Sequence, residues 1–231
     1  MQMQMNSRMD GQGVVVSWSG GKDSAMALRE MQRMPGVRVE ALLTTVTRDF
    51  DRISMHGVRS ELLERQAASL GVPLHKIFIA KGATNAEYEA MMGEAFDLCH
   101  ACGIDSVVFG DLFLEEIRAY RQKLLAKHEL VGLYPLWKRD TRQLMDEFLE
   151  SGFKTVVVCV DPAQLAPSFA GRIIDEKFLD ELPANVDPCG ENGEFHTFVF
   201  DGPIFEEPVR FSIGAIVCRD AFWFCDLIPA G

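Results

Sequence analysis

The sequence predicts an α/β protein: a parallel sheet flanked by helices, followed by a smaller α+β domain. Three observations lead there. Short β-branched or apolar runs alternate with helical patterns from Val14 to Phe109, which is the rhythm of strand–helix–strand crossovers. Nearly every run ends in a glycine or polar turn. Beyond Glu115 the rhythm breaks and the chain turns strand-rich. At 231 residues, with 48% hydrophobic and 25% charged, the chain has enough apolar material for a sizeable core.

The first strand is Val14-Val15-Val16-Ser17-Trp18, and Gly20-Gly21 mark a tight turn after it. Ala25, Met26, Leu28 and Met31 then recur at helical spacing, so a helix begins near Asp23 or Ser24. Val37 to Val46 reads as a second strand. Arg59 to Leu70 reads as a helix with Leu62, Leu63, Gln66, Ala67 and Leu70 on or near one face, stopped by Gly71-Val72-Pro73. Leu74 to Ala80 is a third strand, Asn85 to Cys99 a third helix, and Ile104 to Phe109 a fourth strand ended by Gly110-Asp111. Right-handed crossovers between parallel strands put helices on both faces and ligands outside the carboxyl ends of the strands. Ser19 to Ser24, Thr44 to Arg48 and Gly110-Asp111 all fall at that edge.

The later elements are helices over Ile117 to His128, Arg142 to Glu150 and Asp175 to Leu182, with strands over Lys154 to Val160, Phe195 to Phe200, Val209 to Arg219 and Ala221 to Leu227. The expected organisation is a flexible N-terminus over 1–12, a nucleotide-binding domain over 13–125 and a substrate or closing domain over 126–231.

The net charge of −11 argues against bulk nucleic-acid binding, which needs a basic face. Met1 to Asp10 is polar and has no apolar core like that of a signal peptide, and no apolar run is long enough to span a membrane. Six scattered cysteines then read as free thiols, and the expected location is cytoplasmic.

Strand, glycine turn and helix N-terminus together form an anion-binding arrangement, because backbone N–H groups converge where the helix dipole favours negative charge. In Ser19-Gly20-Gly21-Lys22-Asp23-Ser24 the glycines allow close approach to phosphate oxygens, Lys22 adds a point charge, and the serine hydroxyls donate. The kinase-type GxxxxGK[ST] loop would need glycine in place of Val16 and Ser or Thr in place of Asp23. A second dense stretch runs from Asp187 to Thr197, DPCGENGEFHT, directly before a strand. Its Glu191 and Glu194 suit Mg²⁺, a cationic substrate group or general-base work.

SGGKDS resembles the pyrophosphate loop of the ATP pyrophosphatase superfamily, whose members cleave ATP to AMP and pyrophosphate. With both stretches in view, the chain resembles the diphthine–ammonia ligase family within it. The resemblance is carried by SWSGGKDSAMAL at Ser17 to Leu28, ISMHGVR at Ile53 to Arg59 and FGDLFLEEIRAYRQ at Phe109 to Gln122. YPLW at Tyr134 to Trp137 and CGENGEFHTFVFDGPIF at Cys189 to Phe205 complete it. It implies a HUP-like adenine-nucleotide fold for the first domain, and an ATP- and Mg²⁺-dependent reaction. A carboxylate, small-molecule or protein-borne, becomes an acyl-adenylate, pyrophosphate leaves, and ammonia or an amine attacks to form an amide.

Carried onto this chain, the resemblance implies ATP contacts from Ser17, Ser19, Gly20, Gly21, Lys22, Asp23, Ser24, Thr44, Thr45, Gly110 and Asp111, with Asp23 and Asp111 as metal ligands. Lys22, Asp23, Glu191, Glu194 and His196 are the candidate catalytic residues, and His56, Arg118, Tyr120 and Asn192 the candidate substrate contacts. Members acting on the modified histidine of elongation factor 2 usually carry GEGGEYET in the closing loop. GENGEFHT, from Gly190 to Thr197, looks more like a bacterial-type branch, so the reaction class carries over more safely than the substrate. Two alternatives stay open: a tRNA-modifying relative, and a HUP-fold sensor that holds nucleotide without cleaving it. A homodimer is compatible with all three. Cys99-His100-Ala101-Cys102 has C-x-x-C spacing without a second pair to complete a zinc site, and Trp137 suits a packing anchor as well as a cleft wall.

Overall fold

Val14 and Val16 bury into one hydrophobic cluster and Val15 into another, so the first strand already defines a sheet covered on both faces. A computed structural model describes residues 11, 13–49, 52–53 and 56–230; apart from Gly11, the expected flexible N-terminus lies outside the described residues. In the first sheet, β1 (Gly13–Ser17) runs parallel to β2 (Arg38–Thr47) on one side and to β5 (Ser106–Val108) on the other. Beyond β2 lies β4 (Leu74–Ile79), and beyond β5 lies β6 (Val131–Leu133), both parallel. A short antiparallel strand, β3 (Arg52–Ile53), pairs with Val46 and Thr47 of β2.

The sequence anticipates β1, β2, β4 and, inside a longer Ile104–Phe109 run, β5; it does not anticipate β3 (Arg52–Ile53) or β6 (Val131-Gly132-Leu133), neither of which lies in a β-branched run. Because β6 joins β5, the first sheet takes in residues beyond 125.

Helices α1 (Lys22–Gln32) and α2 (Ser60–Leu70) share a cluster with Val14 and Val16, whereas α3 (Asn85–Ala101) and α4 (Glu115–Ala126) cover Val15, Leu43 and Ile77. Local signals account for their ends. Gly71 closes α2 in the left-handed conformation at φ +65°, and Thr84 with Glu87 forms a capping box on α3. Gly21 stands at the N-cap of α1 and offers no side chain of its own; Thr197 Oγ1 accepts from the Lys22 N–H instead.

The second sheet is antiparallel in the order β8 (Phe195–Asp201), β7 (Lys154–Val160), β10 (Phe222–Pro229), β9 (Phe211–Arg219). It is accompanied by α5 (Thr141–Glu150), capped by Asp140, and α6 (Glu176–Glu181), capped by Asp175. Phe148, Val156, Val158, Phe195 and Phe198 of this part belong to the same core cluster as Val16, Met26 and Leu63 of the first. The two sheets therefore share one core.

Gln66 fastens them. It is fully buried on the apolar face of α2; its Oε1 accepts from Trp18 Nε1 at 3.0 Å, while its Nε2 donates to Gly20 O at 3.0 Å and Val199 O at 2.6 Å. Val199 N–H donates back to Gly20 O at 2.9 Å. Gln66→Leu keeps the bulk but leaves the Trp18 donor and two carbonyls without this partner. Urea unfolding is expected to show a loss of about 3 kcal/mol, whereas Gln122→Leu on the exposed side of α4 should stay within about 0.5 kcal/mol. Equal effects would mean that the Gln66 bonds carry no net stability.

Candidate functional site

The turn after β1 presents the start of α1 as an open anion cradle. Gly20 sits at φ +76°, and a Cβ there would meet Gln66 Oε1 and Leu63 Cδ2 at 2.8 Å, so the position needs glycine on two counts. Gly21 lies beneath the second sheet, where a Cβ would approach Thr197 O at 3.1 Å and His56 Cε1 at 3.2 Å. Ser19 Oγ accepts from Gly21 N–H at 3.2 Å and faces Ser24 Oγ at 3.2 Å, and Ser24 Oγ donates to Gly21 O at 2.9 Å. The Lys22 N–H donates to Thr197 Oγ1 at 3.1 Å, joining α1 to β8.

The Lys22 ammonium is 4% exposed and pairs with Asp23 Oδ2 at 2.7 Å; the Asp23 side chain is 29% exposed. Burial alone would lower the Lys22 pKa, but Asp23, Cys189 and Glu191 more than offset it and hold the group above its ordinary value. Lys22 is thus a fixed positive charge at the N-terminus of α1.

The end of β5 packs directly on that helix start. A Cβ on Gly110 would sit 2.7 Å from the Asp23 carbonyl carbon and 3.0 Å from Ser24 N. The buried Oδ2 of Asp111 is ion-paired with Arg121 Nε at 3.2 Å, outside hydrogen-bonding geometry. Burial raises its pKa, Arg121 opposes the shift, and Asp23 adds repulsion.

The loop before β8 folds around Glu194, which is 1% exposed. Its Oε1 accepts from Asp187 N at 2.9 Å and Asn192 Nδ2 at 3.0 Å, and its Oε2 accepts from Asn192 N at 2.9 Å. Asp187 Oδ2 in turn accepts from Glu191 N at 3.0 Å. With its oxygens turned into the loop, Glu194 organises the turn and leaves Glu191 to face the first sheet. Glu191 Oε1 accepts from Leu112 N at 2.8 Å, directly after Asp111. Burial pushes the Glu191 carboxyl up to about 7; the Leu112 bond and Lys22 oppose this, and Asp23 and Asp111 reinforce it.

His196, at the start of β8, places its ring 4.6 Å from that of His56. His56 Nδ1 lies 3.2 Å from Thr197 O, and a carbonyl only accepts, so the hydrogen is assigned to Nδ1 and Nε2 keeps its lone pair. Burial is the main cause that lowers both imidazoles, His56 to about 3 and His196 to about 4, with Lys22 adding repulsion.

The structure thus brings together Ser19, Gly20, Gly21, Lys22, Asp23, Ser24, His56, Gly110, Asp111, Glu191 and His196. Ser17 ends β1 and pairs with Leu43. Thr44 and Thr45 lie toward the carboxyl end of β2; Thr44 Oγ1 is buried without a hydrogen-bond partner. Asn192 is exposed and held to Glu194. Arg118 lies 4.8 Å from the Tyr134 ring centroid and 4.4 Å from that of Trp137. Tyr120 is not brought to the cleft by any of these contacts: it is 37% exposed and hydrogen-bonded to Glu89.

Sequence reasoning missed Gln66 as an anchor, Tyr134 with its unpaired buried hydroxyl, and Arg121 as the partner of Asp111. For Gln66 a signal existed, a polar side chain in the apolar face of a helix. Cys99 and Cys102 are free thiols, and no group of three or more metal-ligating side chains occurs among the described residues. Among those residues no helix is long and apolar enough to cross a membrane.

Two family models match the chain: the diphthamide synthase N-terminal domain over residues 12–130 and the diphthamide synthase C-terminal domain over residues 140–227. The chain is similar to a diphthine–ammonia ligase of Danio rerio, 26% identical over 212 residues, covering 83% of this chain and 83% of that protein. A diphthine–ammonia ligase of Schizosaccharomyces pombe is 23% identical over 83% of this chain, which spans only 34% of the yeast protein. The Homo sapiens diphthine–ammonia ligase is 26% identical over 51% of this chain and 46% of its own length.

The titrating groups of the site give opposite slopes of stability against pH. The histidines, with folded values near 3 and 4 against an ordinary 6.5, stay neutral while the unfolded chain takes up protons. Their contribution is therefore present above the ordinary value and lost as pH falls. Glu191, with a folded value near 7 against an ordinary 4.5, contributes stability below 4.5 that is lost as pH rises through 7. Urea unfolding between about pH 4 and 8 should show a shallower acid-side loss for the His56→Gln, His196→Gln double variant. Glu191→Gln should be favoured most at the alkaline end. Slopes identical to the wild type would contradict both assignments.

Proposed function

The chain belongs to the diphthamide synthase family, and on that basis we propose that it is an ATP-dependent, AMP-forming ligase that activates a carboxylate and converts it to an amide with ammonia. One observation carries the reading. The buried Lys22 ammonium at the N-terminus of α1 lies within electrostatic reach of the Glu191 carboxylate of the closing loop, which the Leu112 N–H holds against the end of β5.

ATP is read as binding with its terminal phosphates on the N–H groups at the start of α1, the hydroxyls of Ser17, Ser19 and Ser24, and Lys22. Gly20, Gly21 and Gly110 let the loop and the helix start pack closely against Gln66, Thr197 and each other. Thr44 and Thr45 take the adenosine side, where the unpaired Thr44 hydroxyl is available for a ligand bond. Asp23 and Asp111 suit Mg²⁺, because it keeps waters and phosphate oxygens and takes only one or two carboxylates; Asp111 Oδ2 makes no hydrogen bond and would exchange its ion pair with Arg121 for the ion. When bound, the ion would neutralise charge on the phosphates.

A carboxylate oxygen attacks the α-phosphorus, and the pyrophosphate leaves onto Lys22 and the helix N-terminus, whose donors are in place beforehand. The lone pair of ammonia then attacks the acyl carbon, AMP departs, and the nitrogen loses a proton. Glu191, with its carboxyl near 7, is matched to take that proton. His56 offers the Nε2 lone pair to an N–H donor and His196 packs beside it, while Asn192 and Arg118 belong to the acceptor side; Tyr120, turned toward Glu89, is left out of it. Glu194 acts by positioning Glu191 and Asn192.

The proposed division of labour gives the nucleotide to the first sheet, through β6, and the acceptor to the part from α5 onward. The relatives are named for diphthine and ammonia, so a diphthine-bearing acceptor is the first to test and other carboxylates the next.

With ATP, Mg²⁺, ammonium and the acceptor, pyrophosphate and AMP should appear in equal amounts. Lys22→Ala and Asp23→Ala proteins that remain folded should lose on the order of 100-fold or more in rate. Release of ADP and phosphate instead would rule out the adenylating route.

A further inference from the structure

Asp226 belongs to β10, yet its carboxylate accepts hydrogen bonds from two arginines of the first part. Arg59 reaches it with Nε at 3.1 Å and Nη2 at 2.7 Å, and Arg52 with Nη1 at 3.0 Å. Arg52 Nη1 also donates to Gly57 O at 2.6 Å, the carbonyl directly after His56. The same turn is closed by Ile53 N to Val58 O at 2.9 Å and Gly57 N to Ile53 O at 3.0 Å. Gly57 takes φ +69° against the Phe224 ring, where a Cβ would lie 2.7 Å from Phe224 Cδ1. At the tip of this turn His56 reaches across Gly21 to Thr197 O.

We propose that Asp226 is a positioning residue: by holding Arg52 and Arg59 it fixes Gly57 and with it the neighbouring His56, so that His56 lies over the phosphate loop in its Nδ1–H form. The proposal rests on the reading of His56 as part of the ligase site.

Physical reasons favour this over an incidental ion pair. Isolated surface pairs contribute little, because each side chain moves freely and solvent screens the charges. Here one carboxylate is engaged at both oxygens by two guanidinium groups, with a two-bond fork from Arg59, and its side chain is only 21% exposed. The aromatic neighbour of Asp226 in the same strand, Phe224, packs on the same turn. β10 thus touches the His56 segment at two points, although β10 itself contributes no residue to the proposed chemistry.

The test is made on the full chain labelled with ¹⁵N-histidine. Five histidines are present, and His56→Gln assigns the signal of interest. The wild-type ring should show a single Nδ1–H tautomer. In Asp226→Asn the two tautomers should mix, and the dissociation constant for Mg·ATP should rise on the order of tenfold. Asp226→Glu should restore both readouts in part. If Asp226→Asn does not fold, Arg52→Lys serves in its place, since it removes the link to Gly57 and leaves Asp226 paired with Arg59.

A folded variant in which His56 keeps the wild-type tautomer overturns the proposal, whatever happens to stability or nucleotide affinity. If the wild-type protein binds no ATP, the ligase reading fails instead, and the imidazole spectrum still decides the role of Asp226.

Discussion

A single buried side-chain amide ties the phosphate loop to everything around it. Gln66 satisfies the indole N–H that follows β1, the carbonyl of the first loop glycine and a carbonyl of β8. None of these groups has water to turn to, so the bonds cannot be exchanged for solvation when the loop shifts. A loop with two adjacent glycines would otherwise be the most deformable segment of the first sheet. The anion cradle is therefore rigid for a reason that lies outside it, on α2 and on a strand of the second sheet. The shared hydrophobic cluster follows the same logic: Val16 and Leu63 cannot be buried without Phe195 and Phe198.

The electrostatics are arranged on that frame. A buried ammonium is unfavourable unless anions surround it, and Lys22 has Asp23 at 2.7 Å with Glu191 further off. The same burial leaves both histidines neutral, so neither adds to the positive charge of Lys22. Glu191 occupies the midpoint of this field, drawn down by Lys22 and the Leu112 N–H and pushed up by burial and two carboxylates, and it settles near neutrality. A group with that balance is suited to proton transfer, whereas Glu194 has both oxygens engaged by the Asp187 and Asn192 donors of its own loop.

The sequence made the first sheet and the cradle legible because their signals are local. Valine runs, a double glycine and the helical spacing of Ala25 to Met31 each need only a few neighbouring residues. The closing loop was legible as a dense polar turn, but the different fates of Glu191 and Glu194 were not: both are glutamates beside glycines, and only the fold decides which one faces Leu112. Tyr120 illustrates the same limit. Its helix was foreseen, yet its side chain turns toward Glu89 on α3, because the rotation of α4 is set by burying Leu124 and Leu125. The strands β3 and β6 escaped notice because neither lies in a β-branched run like the one that marks β5, and contacts such as Arg52 to Asp226 span 174 positions that no local pattern connects.

Among the described residues, three buried side-chain oxygens make no hydrogen bond, that of Asp111 being ion-paired with Arg121 instead, and their placement is itself informative. Thr44 Oγ1, Asp111 Oδ2 and Tyr134 Oη all lie toward or just past the carboxyl ends of parallel strands β2, β5 and β6. A folded chain ordinarily pairs such atoms, since leaving one buried and unbonded costs about 1–3 kcal/mol. Randomly scattered, they would read as small packing faults. Gathered along the one edge where an α/β sheet receives its ligands, they read as bonds held open for a molecule that the protein must bind. The Thr44 side of β1 and the Asp111–Tyr134 side are separated by the glycine loop, so a nucleotide whose phosphates sit over that loop can satisfy one side with its adenosine. The other side is then left for the acceptor. The lysine at the centre would draw the leaving group away from both.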